Sequence, residues 1–567
     1  MADNSFRISF KAGILFILVF LVNFFVIWHF HNRFWWPFDD GYYAHVAERL
    51  LEGDVLHRDV QEQHGGYINF VNATALHFFG RRLVSLRYPI AFLTLIQACV
   101  VYFLFMSKGA WIAFVASLCI TCFSFIQFLN PTPNWYCLFL AIVLVLSFRY
   151  RSNGSFMAGF IVGMVFLFRQ LTGVFIAMAA FIYLLIERQD KLEDQKHGFL
   201  AKAILILCAI GVAIYLSFAT DLVGIILVGI WPFLLIVRSA FLVQRNNKEV
   251  SKLSARFLSG FLMAFVPLLI YHLMHGSVYA WFKDTLLEVM HIMHFPHLKG
   301  PSYQYLLWGG VFQMSESHGD MYRLLNGLYW VLLPYIHLCN GVITFFALKK
   351  NVQALQKMYL PLIACFYSLV ALLSQHQLYL YYTVGLSLLS LIWVVSQRSL
   401  YQAKVASALV IFLSIVGVYS HAGQPFTRNV YETFGGTKKN YVSSDSLKRA
   451  GLWIPEEELT IYTQLMRLIE TETVDEETIF VFPNNAEIYF LSERRNPFRF
   501  YNTALGLLTE ADVEQTLSEL SARPPKLIIF HVGDKYETPQ IKPILNFVRN
   551  HYDLINTLSF FEIYRRR

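Results

Sequence analysis

Apolar runs separated by short polar breaks recur along the first three-quarters of the chain, and their spacing predicts its elements. A helix needs about 20 apolar residues to cross the ~30 Å hydrocarbon layer. Runs of this order fall at roughly 10–30, 88–106, 110–129, 134–148, 155–168, 171–186, 203–220, 222–237, 257–273, 325–347, 358–374, 378–396 and 402–420. Two stretches between them, 31–87 and 274–324, are long, aromatic and helically patterned, as functional loops in compact proteins are. After a linker at about 422–440 the pattern becomes that of a soluble domain. Helical periodicity at 455–472 and 509–522 alternates with strand-like runs at 479–482, 526–531 and 558–564, which predicts a small α/β layer with a largely parallel sheet. The expected fold class is a polytopic α-helical membrane protein of about 13 transmembrane helices over residues 1–420. A small extramembrane α/β domain follows over 421–567.

Composition narrows the function classes. Of the 567 residues, 56% are hydrophobic and 15% charged, where a soluble domain carries roughly a quarter charged residues. An ordinary soluble enzyme is excluded. The net charge of +8 comes from dispersed Lys and Arg, not from a basic and aromatic stripe that tracks a phosphate backbone, so no nucleic-acid partner is expected. All seven cysteines lie in or beside apolar runs before residue 421, which excludes structural disulfides and a thiolate zinc site in the C-terminal domain. The first run ends in His29-Phe30-His31-Asn32-Arg33 without a small-residue cleavage site, and reads as an uncleaved span. With a cytoplasmic N-terminus, nineteen Lys and Arg up to residue 420 fall on the cytoplasmic side and ten on the other. The positive-inside rule therefore places both long loops and the C-terminal domain on the extracytoplasmic face.

Candidate chemistry concentrates in the first long loop. Pro37-Phe38-Asp39-Asp40-Gly41-Tyr42-Tyr43 opens an amphipathic helix with Tyr43, Val46, Ala47, Leu50 and Leu51 on one face and His45, Glu48, Arg49 and Glu52 opposite. Such a helix suits the membrane interface. A second helical pattern runs from Tyr67 to Phe79 and stops at Gly80. One of Asp39 and Asp40 is accounted for as an N-cap. The other, at the mouth of the bilayer between Trp35, Trp36 and Tyr42, has the setting of a general base.

Residues 37–80, PFDDGYYAHVAERLLEGDVLHRDVQEQHGGYINFVNATALHFFG, resemble the first outer loop of the GT-C fold glycosyltransferases that use polyprenyl-phosphate sugars. These include relatives of the protein O-mannosyltransferases and of lipid A aminoarabinose transferase. That family has an acidic pair, a Tyr, an A-x-x-L-x-x-G helix end, a Tyr-Arg-Asp-like element and a Pro-bearing turn before the second surface helix. Here the pair is Asp-Asp-Gly, His57 replaces the Tyr before Arg58 and Asp59, and the turn is His64-Gly65-Gly66. Thr478 to Asn485 with Glu487 to Pro497 is similar to the outer tail domain of many bacterial members. The resemblance implies an integral membrane glycosyltransferase of the bacterial inner membrane. An acceptor hydroxyl on a glycan, lipid or protein attacks the sugar of a polyprenyl-phosphate donor, with inversion, and Asp39 takes the place of the family's base with Asp40 beside it.

Cations must stabilise the departing phosphate. Arg58, Arg81, Arg82, Arg87 and Arg169 are the candidates. Arg87 resembles the Arg that opens the family's second span, and Arg169, followed by Gln170, sits at an outward hairpin between two short apolar runs. A charge at that depth is functional by default; its structural alternatives are snorkelling to headgroups and pairing with Asp221. Tyr42, Tyr43, Asp59, His64 and His376 complete the expected substrate-binding set. No cofactor is assigned, and a divalent metal is left open. The run His291, His294, His297 offers zinc ligands by type but lacks supporting carboxylate or Cys spacing, and interfacial histidines are the alternative. Two other function classes fit the same topology: a lipid or solute transporter or flippase, although no internal halves are evident, and a non-catalytic assembly factor.

Overall fold

The computed structural model describes residues 10–33, 35–150, 154–186, 198–243, 245–292, 300, 302–350, 358–375, 378–397, 400–420, 440–534 and 536–567. Among them the apolar runs are helices. In chain order these are α1 Phe10–Phe30, the surface helices α2 Pro37–Leu51 and α3 Tyr67–Phe79, α4 Arg87–Phe105, α5 Ala110–Cys122, α6 Pro133–Tyr150, α7 Gly154–Phe168, α8 Gln170–Ile186 and α9 Phe199–Ala219. They continue with α10 Leu222–Leu242, α11 Asn247–Met274, the helical segment α12 at 278–292, α13 Tyr303–Ser315, α14 Met321–Lys350, α15 Tyr359–Tyr367, α16 Leu378–Val395 and α17 Leu400–Ser420. Nine of the helical stretches are long and apolar enough to cross a membrane, and four more are shorter apolar helices. Together they occupy each expected span, and the chain is a multi-pass membrane protein.

Packing in the bundle follows the rules of an apolar solvent, where close approach and polar contacts replace the hydrophobic drive. α1 turns Ile17 and Phe25 outward, at 59% and 64% exposure, and buries a stripe of Val19, Asn23 and Ile27; Asn23 Nδ2 reaches Ser117 Oγ on α5 at 3.3 Å. α7 meets α11 through Gly159, Gly163 and Gly260, where a Cβ would come within 1.9, 2.6 and 2.0 Å of a facing carbonyl oxygen. This crossing brings the end of α11 beside the Gly65-Gly66 turn, where Trp281 Nε1 of α12 donates to Gly65 O at 3.0 Å. The second long loop is thereby fastened to the first.

The C-terminal domain adds β1 Tyr441–Ser443, β2 Trp453–Pro455, α18 Glu456–Glu472, β3 Ile479–Phe482, α19 Glu487–Ser492, α20 Glu510–Ala522, β4 Leu527–His531, α21 Lys542–His551, β5 Tyr552–Leu558 and β6 Phe561–Arg566. Thr509 and Asp512 form a capping box at the start of α20. The main sheet has the order β3-β4-β6-β5. Only β3 and β4 are parallel; β4–β6 and β6–β5 are antiparallel, so the sheet is mixed and not largely parallel. The run expected as one strand from 558 to 564 turns at Ser559, whose φ is +55°. It belongs to a hairpin, and a hairpin needs no crossover helix.

The surface helix α2 is enclosed on both sides. Its apolar residues Tyr43, Val46 and Ala47 are buried, and so are His45, Glu48 and Arg49 on the opposite face. The polar face lies against the C-terminal domain, and the expectation of a helix at the lipid interface is corrected accordingly. Glu48 is held by Arg449 Nη2, and Arg49 Nη1 donates to Phe498 O at 3.0 Å. At Gly41 the domain comes closest: a Cβ there would sit 2.3 Å from the backbone nitrogen of Glu487 in α19. We expect Gly41→Ala to cost about 1–3 kcal/mol or more through overpacking that only a backbone shift relieves. Thermal unfolding of the intact protein in detergent reads this, and an unchanged midpoint would contradict the docking described.

Candidate functional site

Pro37 sets the geometry of the acidic pair. A proline at the first helical position is pre-organised for the helix, so α2 starts with Trp36 as its N-cap and no side-chain cap hydrogen bond. Asp39 and Asp40 fall inside the first turn, where they complement the helix dipole, and neither is the N-cap that the sequence suggests. Adjacent on the helix and so about 100° apart, the two carboxylates enter different surroundings.

Asp40 is fully buried and paired with fully buried Arg87 at 2.6 Å, and Arg87 Nη1 also donates to His31 O at 3.3 Å. Burial pushes the Asp40 carboxyl up to about 6, against the opposing pull of Arg87. Asp39 is half-buried. Its Oδ2 accepts from Asn130 Nδ2 at 2.8 Å, and three tyrosines from separate elements lie within reach of its charge: Tyr43 of α2, Tyr382 of α16 and Tyr536 of the C-terminal domain. Thr132 sits beside both Tyr43 and Tyr382. Burial, then Asp39, raises the Tyr43 phenol well above its usual range, so it stays neutral.

Arg169 occupies the break between α7 and α8. Its guanidinium bonds Asn134 Oδ1 and lies 4.6 Å from the ring centre of Tyr379. Asp221 instead caps the start of α10, accepting from Gly224 N at 2.8 Å, and also accepts from Gln304 N at 2.9 Å. Tyr379 and Tyr382 stand one turn apart on α16 with ring centres 5.7 Å apart. A carboxylate and a cation thus share one tyrosine pair: Tyr382 lies within reach of both the Asp39 and the Arg169 charge, and Tyr379 carries Arg169 against its ring. Trp135, 4.7 Å from Tyr382, and Phe128, 6.2 Å from it, form part of the aromatic floor.

A second polar cluster lies where the two long loops meet. Glu62 accepts from Tyr42 Oη at 2.6 Å and pairs with His64 Nδ1 at 2.7 Å. Burial alone would raise its carboxyl, but His64 and Tyr42 outweigh burial and hold it below the usual range. Asp284 of α12 accepts from Arg499 Nη2 at 2.6 Å and lies 3.3 Å from His57 Nδ1, and Gln61 donates to Glu288 at 2.7 Å. Gln170 Nε2 donates to Gln63 O and Thr285 O at 2.8 and 3.0 Å. Arg58 and Asp59 pair with each other at the surface, where Arg58 also donates to His275 O at 3.1 Å. Arg81, half exposed, pairs with Glu48 at 3.3 Å. His376, His294 and His297 lie outside the described residues. Among the described residues, no group of three or more His, Cys, Asp or Glu is arranged to hold a metal ion.

The expected residues thus separate into groups. Asp39, Tyr43 and Arg169 come together around the tyrosine pair. Tyr42, His64 and Gln170 build the loop junction, and Asp40 and Arg87 form a buried ion pair of their own. Sequence reasoning missed Asn130, Thr132 and Asn134, although Asn130-Pro131-Thr132-Pro133-Asn134 is a polar, proline-bearing break between apolar runs and carries a readable signal. Tyr379 and Tyr382 read as an interfacial belt, and Tyr536 carries no sequence signal at all.

Comparison with known proteins bears on the same region. Residues 64–218 match the family model described as dolichyl-phosphate-mannose-protein mannosyltransferase; the match takes in His64, Arg87, Arg169 and Gln170 and starts beyond Asp39. No curated protein matches significantly. Among solved structures, ArnT from Cupriavidus metallidurans bound to undecaprenyl phosphate aligns over 98% of both chains at 12% identity and a TM-score of 0.39. The apo state of the same protein aligns over 97% of both chains at 11% identity and 0.37. Over residues 64–218, the chain is therefore similar to the dolichyl-phosphate-mannose-protein mannosyltransferase family, as the resemblance of residues 37–80 implies.

Proposed function

We propose that the protein is an integral membrane glycosyltransferase that moves a sugar from a polyprenyl-phosphate donor to an acceptor hydroxyl at the extracytoplasmic face, inverting the anomeric carbon. The carrying observation is that Asp39 and Arg169 meet at the Tyr379–Tyr382 pair, supported by the family match over residues 64–218. Asp39 takes the proton of the acceptor hydroxyl as its oxygen bonds to the sugar. Arg169, in a water-poor setting where charge is poorly screened, stabilises the phosphate as the glycosidic oxygen departs. Arg169 has its own partners in Asn134 and the Tyr379 ring, and Asp39 has Asn130. Asp40 and Arg87 neutralise each other and hold the start of α2 in place.

Membranes with and without the protein, supplied with a panel of radiolabelled polyprenyl-phosphate sugars, test the reading. Protein-dependent label in an acceptor fraction supports it and identifies the sugar. With the productive donor, Arg169→Gln is expected to lower kcat about 10²-fold, the typical loss when one group stabilising developing charge is removed. Transfer from no donor in the panel would favour a transporter or an assembly factor, and undiminished kcat in Arg169→Gln would remove Arg169 from the phosphate role.

A further inference from the structure

The C-terminal domain reaches the same carboxylate. β4 ends at His531, whose ring stacks on Phe38, the neighbour of Asp39, at 6.3 Å and 11°. His531 is fixed from behind by Asn485 at 2.8 Å and lies 3.5 Å from Asp534. Asp534 Oδ1 in turn accepts from Tyr536 N at 2.8 Å, and the Gly533 φ of +70° lets the chain turn between them. Through these contacts the half-buried Tyr536 is delivered to within electrostatic reach of Asp39 and Tyr379. Tyr43 and Tyr382 approach Asp39 from α2 and the bundle; Tyr536 approaches from the outer domain.

We propose that Tyr536 is a positioning residue of the transfer site: the C-terminal domain supplies the wall that covers Asp39, and the Tyr536 hydroxyl favours its ionised form. The mechanistic meaning rests on Asp39 being the base, while the placement of Tyr536 does not. A neutral phenol beside a carboxylate stabilises the charge without neutralising it, so the base is held ready in its ionised form at some loss of proton affinity. Burial, then the Asp39 charge, raises the phenol above its usual range, and it stays protonated for this role.

The test uses the full-length protein in membranes and dicyclohexylcarbodiimide, a lipid-soluble reagent for protonated carboxyls, with labelling of Asp39 read by peptide mass across pH. Each unit by which the carboxyl rises increases its protonated fraction about tenfold at neutral pH. Tyr536→Phe keeps the cover and loses the hydroxyl; we expect roughly three- to tenfold faster labelling at neutral pH and a higher midpoint. Tyr536→Ala removes the cover as well and is expected to label faster still, and Tyr552→Phe, in the same domain and remote from Asp39, to label as wild type does. Wild-type rate and midpoint in Tyr536→Phe would overturn the proposal, even where Tyr536→Ala disturbs folding. If labelling shifts while Asp39→Asn retains transfer, the base assignment falls and the wall stands. If Asp39→Asn abolishes transfer while labelling is unmoved, only this proposal falls.

Discussion

Asp39→Asn is expected to lower transfer by about 10²- to 10⁴-fold, the range a positioned general base contributes, while leaving the protein folded. Asparagine has the size of aspartate and keeps a carbonyl oxygen for Asn130 Nδ2, the 2.8 Å partner of the carboxylate. Asp39 is only half-buried, so removing its charge leaves no large desolvation change. The loss should fall on kcat more than on KM, because the proton is taken as the bond forms and not as substrates bind. Wild-type and variant protein at matched expression and matched thermal midpoint, assayed with the productive donor, give the answer. Undiminished transfer would remove Asp39 as base.

Arg87→Met is expected to cost stability, about 3–5 kcal/mol, since it strands a carboxylate in a site with no exposure. The pH dependence carries the diagnosis. The Asp40 carboxyl titrates at about 6 in the folded protein against an ordinary 3.8, so the native state holds the proton more tightly than the unfolded chain does. A carboxyl shifted this way contributes stability that is complete below about 4 and is lost as pH rises through 6. Without Arg87 the carboxyl rises further, and the deficit of Arg87→Met should be largest above pH 6 and shrink toward pH 4. Asp40→Asn in the Arg87→Met background should recover most of the loss at pH 8. Thermal unfolding in detergent across pH 4–8 measures both, and a deficit independent of pH and unrelieved by the double variant would refute the account.

The two carboxylates also show how far the sequence can be read. Hydrophobic periodicity marks every span because lipid demands long apolar helices, and the break at Arg169 is visible because a charge there has to be accounted for. The division of labour between Asp39 and Asp40 is hidden, since it depends on Arg87, 47 residues on, and on Asn130, 91 residues from Asp39. Glu48 and Arg49 read as a solvated helix face, because nothing in α2 shows that Arg449 and Phe498 will cover it. Tyr536 is further still: one tyrosine among 31, given meaning only by the register that places His531 on Phe38. The mixed sheet went unread for a local reason, the tight turn at Ser559 inside what looks like a single strand.

The clasp between α2 and the C-terminal domain bears on biogenesis. Arg49 and Asn496 are 447 positions apart and in contact, and Gly41 is left bare for a backbone that is synthesised far later. During translation α2 is made early; Glu48 then has Arg81, and Arg49 has Asp54 and the Asp59 carbonyl, but Arg449 and the Phe498 carbonyl reach them only when the last quarter of the chain has folded. Domains fold broadly in the order they are made, so the C-terminal domain is the last part to dock on α2. A chain cut before the C-terminal domain is thus expected to keep its spans while leaving the polar face of α2 bare.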